Sequence, residues 1–313
     1  MQARHWAGFF AVAFIWGTTW LAIRFVVLEM PPLSAAGVRF AAAAVLLSLA
    51  TRATGRSLSL ARLSRQHRRL LLWLTFLMMA LPYGLIFYGE QTVPSALAAI
   101  LFSVHPVFVL LFDSLRQRRN LFTGPRLAGL LFAFAGICII FLPRLTGPSG
   151  ELLGALAIVV AALTGALGTV MAKHEAHELD PWVGTTWQMA GGAACLLLVG
   201  WTLERPTVAG YTPAAWTALA YLTVFGSCVT FVLYYSLLKR MTPIELSTLS
   251  FIIPLIATFV GWLVLDERLG ASTFVGAAVA LAGVALLHRR PPTPVAVAAE
   301  AVPVPPAVGP AGD

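Results

Sequence analysis

The sequence predicts an all-α integral membrane protein of about ten transmembrane helices in two inverted five-helix repeats. Three observations predict it. Of 313 residues, 59% are hydrophobic and 11% charged, whereas soluble domains carry roughly 25% charged residues. The apolar residues fall into blocks of about 17–25, the length that crosses a roughly 30 Å hydrocarbon core at 1.5 Å per residue. The second half of the chain also echoes the first.

The blocks cover residues 6–28, 33–50, 70–89, 93–112, 124–142, 152–172, 182–203, 214–238, 244–265 and 271–288. Turn formers and charge separate them: Pro31-Pro32, the Arg-rich stretch 52–69, Gly147-Pro148, Asp180-Pro181 and Asp266-Glu267-Arg268. Lipid offers the backbone no hydrogen-bond partner, so each block must be a helix. The first block is too long for a signal peptide and has no small-residue cleavage site behind it. The Pro/Ala/Val-rich stretch 291–313 reads as a disordered cytoplasmic tail.

The distribution of basic residues orients the chain. With the N-terminus inside, inner segments hold sixteen Lys and Arg, outer segments only Arg144, Arg205 and Arg268, and Arg24 and Arg39 lie within spans. That excess places both termini in the cytoplasm. It assigns the basic balance to orientation and anionic lipid rather than to nucleic acid. Cys138, Cys195 and Cys228 fall inside spans, without metal-ligand spacing, and read as packing residues.

A shift of 149 residues superposes Arg24 on Lys173, Glu29 on Glu178, Pro32 on Pro181, Arg39 on Gln188 and Pro94 on Pro243. A shift of 147 then superposes Gly129 and Gly136 on Gly276 and Gly283. The units are 1–147 and 148–290. Five helices is an odd number, so the second unit enters the membrane upside down. Inverted repeats are the architecture of secondary transporters, whose site lies between the repeats near the midplane.

Several motifs carry a family resemblance. Trp16-Gly17 is followed by Arg24, and Gly89-Glu90-Gln91-Thr92-Val93-Pro94-Ser95 leads to Pro106. Pro254 is followed by Glu267-Arg268-Leu269 and by Gly276 and Gly283. Over 6–288 the chain resembles the EamA-type permeases of the drug/metabolite transporter superfamily. The resemblance implies ten helices in two inverted halves and export of amino acids, other metabolites or drugs. One departure is visible: Arg118-Arg119-Asn120-Leu121 in the first half lacks the Glu that the second half carries at Glu267.

The informative residues are polar groups at membrane depth, where a central charge costs roughly 2.5–3.5 kcal/mol on insertion scales. Arg24 lies near the outer interface, where it either snorkels or lines the mouth. Arg39 lies deeper and is expected to pair with Glu90 or Glu29 as an outer gate, with Lys173 and Glu245 as inner counterparts. Trp16 and Trp20 share a helix face with Arg24 at i, i+4, i+8, and Trp16 falls too deep for an interfacial belt. His105 falls at a similar depth, just before Pro106. Proline bends a helix, Pro254 occupies the corresponding region of the second half, and paired broken helices point to a binding site. His105 is assigned either to substrate binding or to carrying a proton. Tyr83 and Phe87, Gln188, and Ser227 and Tyr234 are candidates to complete a polar-aromatic cavity. Gly129, Gly136, Gly276 and Gly283 read as sites of close helix approach.

Enzyme motifs are weak. Gly147-Pro148-Ser149-Gly150 lies in a loop, and His174-Glu175-Ala176-His177 is one residue short of a zincin pair. No metal, cofactor or ATP site is implied. The expected partners are a small-molecule substrate and membrane lipids, with proton coupling in view and a monomer or homodimer as the working unit. The sequence therefore points to an alternating-access exporter of small amphipathic metabolites, amino acids above all, in the cell inner membrane. The alternatives are drug or toxin efflux, or vitamin or metabolite uptake, by the same fold. From other classes come an intramembrane enzyme or a structural membrane protein.

Overall fold

The computed structural model describes residues 3–118, 124–145, 149–205, 210–241, 246, 249–267 and 269–287. These hold ten apolar helices: α1 (Ala3–Val27), α2 (Pro32–Ala53), α3 (Arg65–Gly89), α4 (Ser95–Gln117), α5 (Pro125–Phe141), α6 (Ser149–Glu175), α7 (Pro181–Glu204), α8 (Pro213–Leu238), α9 (Leu249–Leu265) and α10 (Ala271–Leu287). Seven are long and apolar enough to cross a membrane, and α5, α9 and α10 are shorter. Phe10, Phe14, Leu49, Leu72, Leu131, Leu198, Trp201 and Phe259 project from the bundle with large exposed apolar surface. An apolar exterior of that extent fits lipid as the solvent.

The starts and breaks of the helices follow from local chemistry. Proline opens α2, α5, α7 and α8, where its missing N–H costs nothing. Asp180 Oδ1 accepts from the N–H groups of Trp182 and Val183 at the start of α7. α3 starts at Arg65, five residues before the apolar block, capped by Ser64 Oγ accepting from His67 N. Hydropathy alone ends at the first charge, whereas the helix continues through its basic first turn. α4 likewise runs past residue 112 to Gln117, and is interrupted at 103–104 before resuming at His105 with Pro106 second.

The principal packing pairs are α2 with α7, α5 with α10, α4 with α9, α3 with α6, α1 with α8, α4 with α6, α1 with α9, α3 with α7 and α2 with α8. Exchanging each helix with the one five later returns the same set. The equivalent helices α2 and α7 run antiparallel, Gly37 meeting Leu197 and Gly200 meeting Ser34, and α3 and α6 do so as well, Gly89 meeting Gly154 and Gly168 meeting Met78. Two further breaks obey the same exchange. α3 widens into a π-helix at Thr75–Ala80, and α8 does so at Leu222–Val229. Pro82 follows the first. In the second, Thr230 Oγ1 donates to the Phe225 carbonyl at 2.6 Å. π-segments of this kind recur at functional sites.

The four glycines singled out for close approach form the α5–α10 seam. A Cβ on Gly136 would lie 2.4 Å from Ala280 N, and one on Gly283 2.4 Å from Ala133 N, with backbone carbonyls of Gly276 and Gly129 beside them. Nothing flexible can yield there. We expect Gly136→Val and Gly283→Val each to destabilise by at least the roughly 1–3 kcal/mol typical of overpacking. In detergent this is read as a lower melting temperature or loss of the monodisperse peak. Gly184→Ala, whose Cβ would meet only Gln188 Nε2 at 3.9 Å, should be tolerated. Equal melting temperatures for all three would contradict the seam.

Candidate functional site

Six helices enclose a cavity of about 230 Å³: α1, α3 and α4 from the first half, and their counterparts α6, α8 and α9 from the second. Trp16, Trp20, Tyr83, His105, Pro106, Tyr234, Pro254 and Lys173 all line it, with Phe102, Phe231 and Thr169. The walls are aromatic and mutually braced. Trp16 lies 5.0 Å from Tyr234 and 5.7 Å from Phe231, Trp20 lies 5.6 Å from Phe102, and Phe102 stacks on His105 at 19°. The break before His105 is what turns its ring across the bundle, over Gly165, with Nε2 3.3 Å from Thr169 Oγ1. Among the described lining residues there is no carboxylate, and Lys173 is the one lysine or arginine.

The cavity opens towards one end of the bundle. We call this the basic end, because α1 starts there and the Arg-rich 52–69 stretch lies there. At that end Lys173 keeps 30% side-chain exposure, and a second cavity of about 350 Å³ continues past Lys173 and Leu238 to Asp180 and Lys239. At the opposite end, behind Ile23 and Ile86, fully buried Val26, Glu90, Val93 and Leu97 close the wall.

Other sequence-derived candidates lie outside the aromatic cavity. Gln188 faces the second cavity and accepts from the Tyr235 hydroxyl at 2.8 Å. Phe87 and Ser227 build the environment of Arg39 instead. The expected pairing of Arg39 with Glu90 or Glu29 is not formed. Arg39 is buried, its Nε donating to Ser227 Oγ at 2.8 Å and Nη2 to the Gly226 carbonyl at 3.1 Å. Its guanidinium carbon lies 4.9, 5.3 and 5.9 Å from the ring centres of Tyr83, Phe40 and Phe87. Glu29 instead accepts from Thr212 Oγ1 at 2.6 Å and Thr212 N at 2.7 Å. Those bonds, the hydroxyl's first, hold its carboxyl below the usual carboxylate range. Arg24 donates to the backbone carbonyl of Glu90, so it neither snorkels nor lines the cavity. The physical reason is azimuth: residues at one depth need not face one another. Glu245 lies outside the described residues.

Sequence reasoning missed Asp113, because the apolar block ends at 112. Its Oδ1 lies 2.7 Å from His174 Nε2 and its Oδ2 3.2 Å from Lys173 Nζ, which ties α4 to α6 at the basic end. Two carboxylates cross between the halves: Glu204, which the sequence reasoning did not single out, and Glu267, which it named only as part of the family motif. Glu204 accepts from Leu33 N, Ser34 N and Ser34 Oγ at 2.7, 2.8 and 2.6 Å. Glu267 accepts from Ser95 N, Ser95 Oγ and Ala96 N at about 3 Å.

With that geometry in view, the comparisons decide the family. The pattern of the EamA-like transporter family matches twice, over residues 6–142 and 152–289. The chain belongs to the EamA-like transporter family. Among its relatives, "Uncharacterized transporter YoaV" of Bacillus subtilis (strain 168) is 27% identical, covering 88% of this chain and 94% of its own. "Uncharacterized inner membrane transporter YedA" of Escherichia coli (strain K12) is 29% identical over 80% of each chain. A solved crystal structure shares the fold, with a TM-score of 0.66 at 19% identity over 92% of this chain and 98% of that one. This EamA-like chain is thus a membrane protein of a transporter family, and its two matched segments are an internal repeat.

The Arg39 contacts generate a double-mutant test. We expect Arg39→Met and Ser227→Ala to couple by about 0.5–3 kcal/mol in thermal stability, as contacting residues do. Arg39→Met and Glu90→Gln, which share no hydrogen bond, should couple less strongly than that pair. Strong coupling of the second pair without coupling of the first would contradict the arrangement.

Proposed function

We propose that this chain is a secondary transporter that works by alternating access. It exports small amphipathic metabolites, amino acids above all, across the inner membrane and performs no chemistry on them. One observation carries the reading: a cavity bounded by equivalent helices of both halves, closed at one end and open at the other. Rocking of one half against the other would close the basic end and open its opposite. The exchange symmetry of the packing pairs and the antiparallel course of equivalent helices support oppositely inserted halves. The basic end is assigned to the cytoplasm, with both termini there.

The cavity chemistry supports the substrate class. Its volume falls below the roughly 300–1,000 Å³ of pockets for drug-sized ligands, which suits a small metabolite. The aromatic faces of Trp16, Trp20 and Tyr234 accept an apolar side chain or a cationic amine. The broken backbone before Pro106, and Pro254 inside α9, which removes one backbone donor, leave polar groups for a carboxylate or ammonium. Among the described lining residues there is no dense charge cluster to hold a polyphosphate. Arg24, Arg39 and Glu90 sit in the closed end and Lys173 at the open one, so theirs are the contacts that change when access switches.

Two measurements test this. In a background lacking Cys138, Cys195 and Cys228, cysteines at Ser64 and Gln91 should label with an impermeant maleimide from the inside and the outside respectively. Labelling of both from one side would contradict the orientation. A screen of labelled amino acids and toxic analogues, with and without expression, should reveal an exported substrate. Trp16→Ala and His105→Ala should then reach the membrane normally yet weaken apparent affinity about tenfold or more, equivalent to about 1.4 kcal/mol. Full export with unchanged affinity in both would place the site elsewhere.

A further inference from the structure

Among the described residues, Glu90 is the one buried carboxylate that the contacts above leave unexplained. It ends α3, is fully buried, and neither of its side-chain oxygens has a protein donor within hydrogen-bond distance. The charged groups that act on it are Arg24, Glu267 and Arg39. None of them satisfies it. Arg24 of α1 gives a guanidinium N–H to Glu90's backbone carbonyl. Arg39 of α2 gives Nε and Nη2 to Ser227 and Gly226 of α8 beneath the Tyr83 ring. Glu267, at the end of α9, is held by the Ser95 and Ala96 donors of α4, and its negative charge opposes a second one nearby. α6 meets this corner with Gly154 and Ile158, which offer no charge.

A buried ionised carboxylate with no partner is far costlier than a neutral one, and such a group takes up a proton instead. Arg39 carries the complementary orphan: its Nη1 is buried without an acceptor. Immediately after Glu90 the chain reaches the surface, where Gln91 and Thr92 are exposed.

We propose that Glu90 is a proton-binding site that controls the end opposite the basic one. Its carboxyl carries a proton while that end is closed. When the end opens, the O–H bond breaks, the proton passes to the solution on that side, and the carboxylate becomes the partner of Arg39. Protonation reverses the step, and no other bond changes. Because the closed state binds the proton and the open state does not, acid on that side favours closure. This makes Glu90, rather than His105, the pH-responsive group of the transporter.

The opening half of this inference rests on the alternating-access reading, and the proton itself does not. Infrared spectroscopy of the purified full chain at neutral pH should show the carbonyl-stretch band of a protonated carboxylic acid. That band should vanish in Glu90→Gln, shift in Glu90→Asp and persist in His105→Ala. Gln matches the neutral carboxyl in shape, so the fold should survive; should it not, the Asp shift still decides. Absence of the band in the wild type, or an unchanged band in both Glu90 variants, overturns the proton site and leaves the transporter reading untouched. In the cysteine-free background, the Ile86→Cys labelling rate from the Glu90 side, divided at each pH by that of an exposed Gln91→Cys control so that the rising thiolate fraction cancels, should increase several-fold as pH rises from 5 to 8. With Glu90→Gln added, the ratio should stay low and flat. A pH-independent ratio with Glu90 in place overturns the switch even if the band is present.

Discussion

Hydrocarbon cannot hydrogen-bond the free N–H groups at the start of a helix, and much of this structure follows from how those groups are satisfied. At the end opposite the basic one, α2 and α4 begin without a capping side chain of their own, because Pro31 and Pro94 occupy the cap positions. Carboxylates from the second half fill the gap: Glu204 on α2 and Glu267 on α4. Hydrogen bonds to charged groups are worth about 1.5–3 kcal/mol each. The basic end is built otherwise. α7 is capped by its own Asp180, and the Arg56–Asp180 pair that joins the halves there is 37% and 42% exposed. Exposed pairs contribute about 0–1 kcal/mol. The two ends are therefore joined differently: second-half carboxylates on free N–H groups at one, and side-chain pairs at the other, Arg56 with Asp180 and Asp113 with Lys173 and His174.

The same asymmetry gives meaning to a break in the repeat. The first half has Asn120 in the segment where the second half has Glu267. A strictly symmetric chain would carry equivalent cross-half carboxylates at both ends. This chain carries those at Glu204 and Glu267 in its second half, so exchange of the halves does not interconvert two equal states. On the alternating-access proposal, switching would release the Glu204 and Glu267 bonds, and the buried Arg39 and Glu90 beside them would be the charges exposed to the change.

Depth was legible in the sequence and rotation about the helix axis was not. Counting residues along apolar blocks placed Trp16, Trp20, His105, Pro106 and Pro254 at similar depth, and the structure brings them to one cavity. The same counting put Arg39 near Glu90, yet Arg39 turns towards the α8 π-segment, where Gly226 and Ser227 offer acceptors. Gln188 likewise turns into the neighbouring cavity. The π-segments left no trace in the hydropathy pattern, since one added residue per turn shifts a helix face without changing composition. Asp113 was lost for a plainer reason. A charge ends an apolar block, whether or not it ends the helix.

The account stands on one claim, that a single cavity between the halves is reached from each side of the membrane in turn. A cysteine at Thr169, on the cavity wall beside His105, tests it without knowing the substrate. The reporter is placed in the cysteine-free background and probed with an impermeant maleimide from either side. A second version carries Thr92→Cys and Gly150→Cys, positions joined across the closed end by a 2.9 Å hydrogen bond and close enough for a disulfide. The account predicts labelling from both sides in the first protein. In the oxidised pair it predicts labelling from the basic end only, with access from the other side restored by reduction. A Thr169 cysteine that labels from one side alone in both proteins, bridged or not, would contradict it.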